Sequence, residues 1–165
     1  LWLAWLAVAQ ARFVGINFLL SILVLVWVAD IFAYFAGRAF GGRVAAGKLA
    51  PSISPGKSWE GVWGGMAGVV TLAFLWAWAD RALGAGVASF YTRLAIHGGW
   101  LLLIAVLFMA AMSVVGDLVE SLIKRSAGVK DSSGLLPGHG GVLDRVDALL
   151  PTLPLAMMLV TLGRP

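Results

Sequence analysis

The residues able to do chemistry are gathered between Gly116 and Asp147, in the stretch GDLVESLIKRSAGVKDSSGLLPGHGGVLDRVD. Of the chain's 8 acidic residues it holds Asp117, Glu120, Asp131, Asp144 and Asp147. Lys124, Arg125, Lys130, Arg145 and His139 are interspersed with them. Asp117, Glu120, Ser121 and Lys124 stand at i, i+3, i+4 and i+7, which places them on one face of a helix. That face reads either as a solvated helix end with a Glu120–Lys124 pair or as a carboxylate-bearing site. Asp117 follows Val114-Val115-Gly116 directly, at the edge of an apolar run, where a carboxylate needs a partner such as a divalent cation. Further on, the turn His139-Gly140-Gly141 leads into Asp144 and Asp147, spaced i, i+3 at the start of another helix. Such an aspartate can cap the helix or bind a cation. Hard oxygen ligands suit Mg²⁺, which is normally shared with phosphate oxygens. Acidic and basic residues set together in this way fit phosphoryl or nucleotidyl transfer.

A second motif lies upstream, at Ser54-Pro55-Gly56-Lys57-Ser58-Trp59-Glu60-Gly61. Pro and Gly break the chain there, and Ser58 is placed to cap the helix that follows. Hydroxyls, a lysine and free N–H groups at a helix start equally make a phosphate site. Gly-Lys-Ser is present, but the Walker A spacing is absent. The chain has no cysteine, so thiolate metal sites and cysteine nucleophiles are excluded.

The elements that must position these motifs are membrane helices. The 165 residues are 61% hydrophobic and 12% charged, with mean hydropathy +0.94. Soluble domains carry about 25% charged residues. The expected fold class is all-α: a polytopic transmembrane helical bundle with cytoplasmic polar loops and helix extensions. Spans are expected near 14–36, 62–79, 99–115 and 146–163, in a single membrane domain. The opening LWLAWLAVA is too short to span a bilayer and lacks the basic start of a signal peptide. It reads as the tail of a helix, and the chain as the C-terminal portion of a longer protein. Asp30, near the end of the first span, is expected either at headgroup level or facing a polar cavity. The glycines of GVWGGMAG permit close helix packing, and His97 reads as interfacial.

With four spans, the loops 37–60 and 116–145 share one side. They hold Arg38, Arg43, Lys48, Lys57, Lys124, Arg125, Lys130 and Arg145, against Arg12, Arg81, Arg93 and Arg164 on the other. The positive-inside rule puts both loops in the cytoplasm, so the two motifs are expected to converge. The net charge of +4 suits anionic headgroups or phosphates. Nucleic acid is not an expected partner, because the basic residues sit in short loops between spans.

Ser121-x-x-Lys124-Arg125, then Lys130-Asp131, then Pro137-x-His139-Gly140-Gly141-x-x-Asp144-Arg145-x-Asp147 resembles the signature of the phosphatidate cytidylyltransferase family. Asp30-x-x-Ala33-Tyr34-x-x-Gly37-Arg38 is similar to the family's span-to-loop junction. Ser54-Pro55-x-Lys57-x-x-Glu60-Gly61 is similar to its loop motif, with Ser58 where threonine is expected; the hydroxyl is kept. The resemblance implies an Mg²⁺-dependent enzyme of a bacterial inner membrane that converts CTP and phosphatidic acid to CDP-diacylglycerol and pyrophosphate. It implies membrane lipid as surroundings, and it leaves open a second cation and a homodimer. On this reading Asp117, Lys124, Arg125, Asp144 and Arg145 are catalytic, and Asp117 and Asp144 are the leading metal ligands, followed by Asp147 and Glu120. Lys124, Arg125, Lys130 and Arg145 contact phosphates. Ser54, Lys57 and Glu60 form part of the nucleotide site. Ser121, Asp131, His139, Gly140 and Gly141 complete substrate binding, with His139 a turn or phosphate contact rather than a base.

Two other readings compete. A CTP-dependent polyprenol or phytol-type lipid kinase would share the loops and Mg²⁺ but release CDP. A transporter would place its charges within helices around a midplane site, whereas here they cluster at helix ends.

Overall fold

A computed structural model describes residues 1–43, 48–129, 131–133 and 141–162, without the side chains of Arg145 and Leu162. Lys130, His139 and Gly140 therefore lie outside the described residues. Helices α1 (Trp2–Val14), α2 (Ile16–Phe40), α3 (Trp59–Ala82), α4 (Phe90–Ala95), α5 (Gly99–Ser126), α6 (Leu143–Val146) and α7 (Leu149–Leu162) are joined by a hairpin, β1 (Lys48–Ala50) and β2 (Ser54–Ser58). The fold is an all-α polytopic bundle with this one small hairpin among the described residues. Helices α2, α3 and α5 are long and apolar enough to cross a membrane. Their outward faces carry exposed Trp27, Phe35, Trp63, Trp78 and Ile104, a surface suited to lipid and unsuited to water.

Each polar motif extends a long helix beyond its apolar part. The 28 residues of α5 make a rod of about 42 Å, against a hydrocarbon core of about 30 Å. Its last turns, with Asp117 to Lys124, therefore project past the apolar part, as the stripe spacing predicts. The loop expected over 37–60 is more ordered than anticipated. Helix α2 continues to Phe40, and the antiparallel hairpin pairs Lys48 with Ser58 and Ala50 with Ser54. Ser58 does cap α3: its Oγ accepts the Gly61 N–H at 3.2 Å.

The last element departs from the expected 146–163. Helix α6 ends at Val146, Asp147 and Ala148 form a turn, and α7 is described over 14 residues, about 21 Å. Asp147 Oδ1 accepts the Ala148 N–H at 2.6 Å, and the Asp147 carbonyl accepts from Leu150 N at 3.2 Å. These local bonds hold the turn, and Pro154 inside α7 removes a further helical donor.

Helices α2 and α3 form the most extensive pair, and glycine sets their spacing. A Cβ on Gly65 would stand 2.8 Å from the Ala29 carbonyl oxygen, and one on Gly64 would stand 2.2 Å from the Ala36 Cβ. The core between α2, α3, α4 and α5 is built from Phe18, Ile22, Val69, Phe90, Tyr91, Val106 and Met109. The connection after α3 leads into the short α4, with Phe90, Tyr91 and Leu94 buried. Asp80 anchors it, accepting from Asn17 Nδ2 (2.9 Å), Ser89 N (3.0 Å) and Thr92 Oγ1 (2.6 Å).

Because backbone cannot recede as a side chain can, Gly65→Val should force α2 and α3 apart. The expected loss of stability is about 1–3 kcal/mol, read as a lower Tm in detergent. Gly86, whose Cβ would meet nothing within 4 Å, should accept alanine with Tm unchanged.

Candidate active site

The two polar motifs meet at one end of the bundle. The hairpin carries Lys57 to α5, where its Nζ forms an ion pair with Asp117 Oδ2. Asp117 Oδ1 accepts from Ser121 Oγ at 3.3 Å. One turn on, Lys124 Nζ lies 2.8 Å from Glu120 Oε2 and 2.6 Å from Asp144 Oδ1. This lysine joins the end of α5 to the start of α6. The expected Glu120–Lys124 pair is present, but it is buried and shared with a third residue rather than solvated.

Asp144 is the fastening point of the intervening loop. Its Oδ2 accepts from Gly141 N at 2.7 Å and Ser132 N at 3.0 Å. It therefore pins both sides of the loop instead of capping the helix ahead of it. Gly141 is required here: a Cβ would stand 2.0 Å from Ser132 Oγ. The Lys124 ammonium and, after it, the backbone donors hold the Asp144 carboxyl well below the usual carboxylate range, against the opposing pull of desolvation. Asp147 is displaced the other way, upward, mainly by burial, with Asp117 and Asp30 adding negative charge nearby.

A chain of carboxylates thus runs from Asp30 through Asp117 and Asp147 to Glu120 and Asp144, each within electrostatic reach of the next. Lys57 and Lys124 are the cations paired with it among the described residues. Glu120 is 7% exposed and lies within hydrogen-bonding reach of Asp144 and Asp147. Glu120 Oε1 has no hydrogen-bond partner among the described residues. Among the described residues, no three acidic or histidine side chains close around a single metal position. The donor chemistry nevertheless fits a hard cation: oxygen ligands only, a surplus of negative charge, and a buried carboxylate oxygen without a donor.

The remaining expected residues fall around this core. Arg125 and Asp131 are exposed. Glu60 is buried and accepts from Gly42 N at 3.0 Å, tying the α2–hairpin connection to α3. Ser54 pairs with Ala50 in the hairpin. The backbone of Arg145 lies in α6. Beneath the Lys57–Asp117 pair, α2, α3 and α5 enclose a cavity of about 390 Å³ lined by Asp30, Tyr34, Arg38, Lys57, Met66 and Val114, among others. Asp30 lines this cavity. Tyr34 and Arg38, not among the expected site residues, belong to it too. Their i, i+4, i+8 spacing from Asp30 is the signal that could have found them.

The model of the cytidylyltransferase family matches residues 1–162. The chain belongs to the cytidylyltransferase family. Within that family it is 49% identical over 140 residues to phosphatidate cytidylyltransferase of Haemophilus influenzae, covering 85% of this chain and 44% of that protein. It is 45% identical over 136 residues to the enzyme of that name from Pseudomonas aeruginosa (82% and 44%). For the Bacillus subtilis enzyme the figures are 38% over 148 residues (90% and 49%). The chain spans about half the length of these curated relatives. As a cytidylyltransferase-family chain, it carries its charged residues where the helices end.

The lowered Asp144 carboxyl has a pH consequence. A group whose folded pKa lies below its unfolded value stabilises above the unfolded value and loses that effect as pH falls through the folded one. Protection of the Ser132 and Gly141 amides from hydrogen exchange should therefore persist at pH 5 and fade only below about pH 4. In Asp144→Asn the same amides should exchange about tenfold faster at neutral pH, as loss of a charge-assisted hydrogen bond gives.

Proposed function

We infer that this chain forms the catalytic portion of a membrane enzyme that transfers the cytidylyl group of CTP to phosphatidic acid, at the cytoplasmic end of its helices. A phosphate oxygen of phosphatidic acid attacks the α-phosphorus of CTP. The bond to the β-phosphate breaks, and CDP-diacylglycerol and pyrophosphate leave. The observation that carries this reading is the meeting of the Lys57 hairpin with the Asp117–Asp144 carboxylate chain at one end of a lipid-facing bundle. Its similarity to phosphatidate cytidylyltransferases supports it.

The chemistry asks for charge neutralisation more than proton removal. The attacking phosphate is already an anion, so the site needs no strong base. What it must do is bring two anions together and hold the leaving pyrophosphate. Lys57 and Lys124 lie 67 positions apart in sequence (124 − 57) yet serve one carboxylate chain, so each can exchange a carboxylate for a phosphate oxygen. Arg125, exposed at the end of α5, is available for a terminal phosphate. Asp144 positions Lys124 and the Gly141 turn. Mg²⁺, held by Glu120, Asp144, Asp147 and Asp117, would supply the positive charge that screens the triphosphate from these acids.

The full-length protein, given labelled CTP, phosphatidic acid and Mg²⁺ in detergent, should yield CDP-diacylglycerol and pyrophosphate. Formation of CDP with a newly phosphorylated lipid would instead identify a kinase. Chelation with EDTA should abolish turnover. Asp117→Asn and Asp144→Asn should each lower kcat by about 100-fold or more, as loss of an electrostatic contact in a transition state does. Lys57→Ala should raise the KM for CTP; an unchanged value would remove Lys57 from the nucleotide site.

A further inference from the structure

The cavity under the hairpin has one wall that the catalytic reading does not use. On α2, Asp30, Tyr34 and Arg38 stand at i, i+4 and i+8 and line that cavity. All three are exposed, and Arg38 Nη1 donates to Tyr34 Oη at 3.0 Å. A charged stripe on a spanning helix is costly and calls for a use. Its neighbours Ile31 and Phe35 are exposed apolar residues on the same membrane helix. The α2 wall of the cavity thus opens outward among lipid-facing side chains. The interior is graded. Arg38 and Lys57 stand at the polar end, while Ala33, Met66 and Val114 line the deeper part, where Asp30 is the one charged residue.

That gradient matches one kind of ligand. A single-tailed or double-tailed phosphomonoester has a dianionic head and an apolar body, and a guanidinium binds such a head in bidentate fashion. Apart from Asp30, Tyr34, Arg38, Lys57, Ser58 and Asp117 the lining is apolar, which leaves few side-chain partners for the edge of a nucleobase. Of the two hydroxyls in the lining, Ser58 Oγ is engaged in capping α3 and Tyr34 Oη accepts from Arg38.

We propose that this cavity receives the phosphomonoester head of the lipid substrate, with Arg38 as its phosphate contact, Tyr34 as the residue that positions Arg38, and the acyl chains passing outward along the Ile31–Phe35 face of α2. The assignment rests on the reading that the enzyme acts on phosphatidic acid. Lys57, paired with Asp117 at the cavity's edge, stands where the lipid phosphate and the nucleotide phosphates meet, so it serves both and cannot separate them.

The test varies phosphatidic acid in mixed micelles at saturating CTP, and CTP at saturating lipid, using the full-length enzyme and its Arg38→Gln, Arg38→Lys and Tyr34→Phe variants. Arg38→Gln should raise the KM for lipid by about tenfold or more, as loss of a charge-assisted contact does, with the KM for CTP unchanged. Arg38→Lys should recover part of that loss. Tyr34→Phe, which keeps the ring, should raise the lipid KM by about threefold, the effect of one neutral hydrogen bond, with kcat and Tm held. A rise in the KM for CTP with lipid unaffected, an equal rise in both, or no change in either would overturn the proposal. Should Arg38→Gln fail to fold, the Arg38→Lys and Tyr34→Phe values decide by the same criteria. A wild-type protein that makes no CDP-diacylglycerol would refute the proposed function itself. A wild type that makes it, with variants lacking the selective lipid effect, would refute only the cavity assignment.

Discussion

A carboxylate at the end of a membrane helix must be given a counter-charge, and Lys57 supplies one to Asp117. That pair joins two segments 60 residues apart in sequence (117 − 57). It draws the hairpin onto α5, covers the cavity between α2, α3 and α5, and brings the phosphate-type motif of the first loop against the acidic stretch of the second. Among the described residues it is the ion pair that ties the hairpin to α5.

The same logic repeats one turn farther along α5. Lys124 lies between Glu120 and Asp144, and Asp144 in turn holds the backbone at Ser132 and Gly141. Ion pairs at such places are poor sources of net stability, because desolvation consumes most of the attraction. Their value is geometric and chemical. An ammonium shared by two carboxylates is set at a defined point, and it can exchange one acidic partner for a phosphate. The buried Glu120 oxygen, without a donor among the described residues, is a local cost that a purely structural helix end has no reason to keep.

The far end of the bundle is built for rigidity. Asp80 collects Asn17, Ser89 and Thr92, and Tyr91 Oη donates to the Ser21 carbonyl at 2.8 Å. This network fixes α4 against α2 and α3. Between the two ends, glycine lets α2 and α3 approach closely enough that Asp30, Tyr34 and Arg38 on one helix share a cavity with Lys57 and Ser58 beside the other. The helix packing and the site are therefore one problem: a wider α2–α3 spacing would move Arg38 away from Lys57.

Much of this was legible in the residues themselves. Long apolar runs specify spanning helices because no other open structure satisfies its backbone in lipid. Helical periodicity placed Asp117, Glu120, Ser121 and Lys124 on one face, and Ser58 at a cap. Other features depend on contacts between distant segments, which no local pattern encodes. The spacing allowed a Glu120–Lys124 pair but could not show that Asp144 would share its lysine. Asp144 itself read equally well as a cap. The end of the chain read as a single span, because hydropathy does not register a turn held by Asp147 and its own neighbours. Tyr34 and Arg38 were visible as letters, yet only the approach of α3 and α5 made their face of α2 the wall of a cavity. Local sequence determined the elements and their polar ends; the long-range ion pairs and the glycine-set helix spacing decided which of those ends became one site.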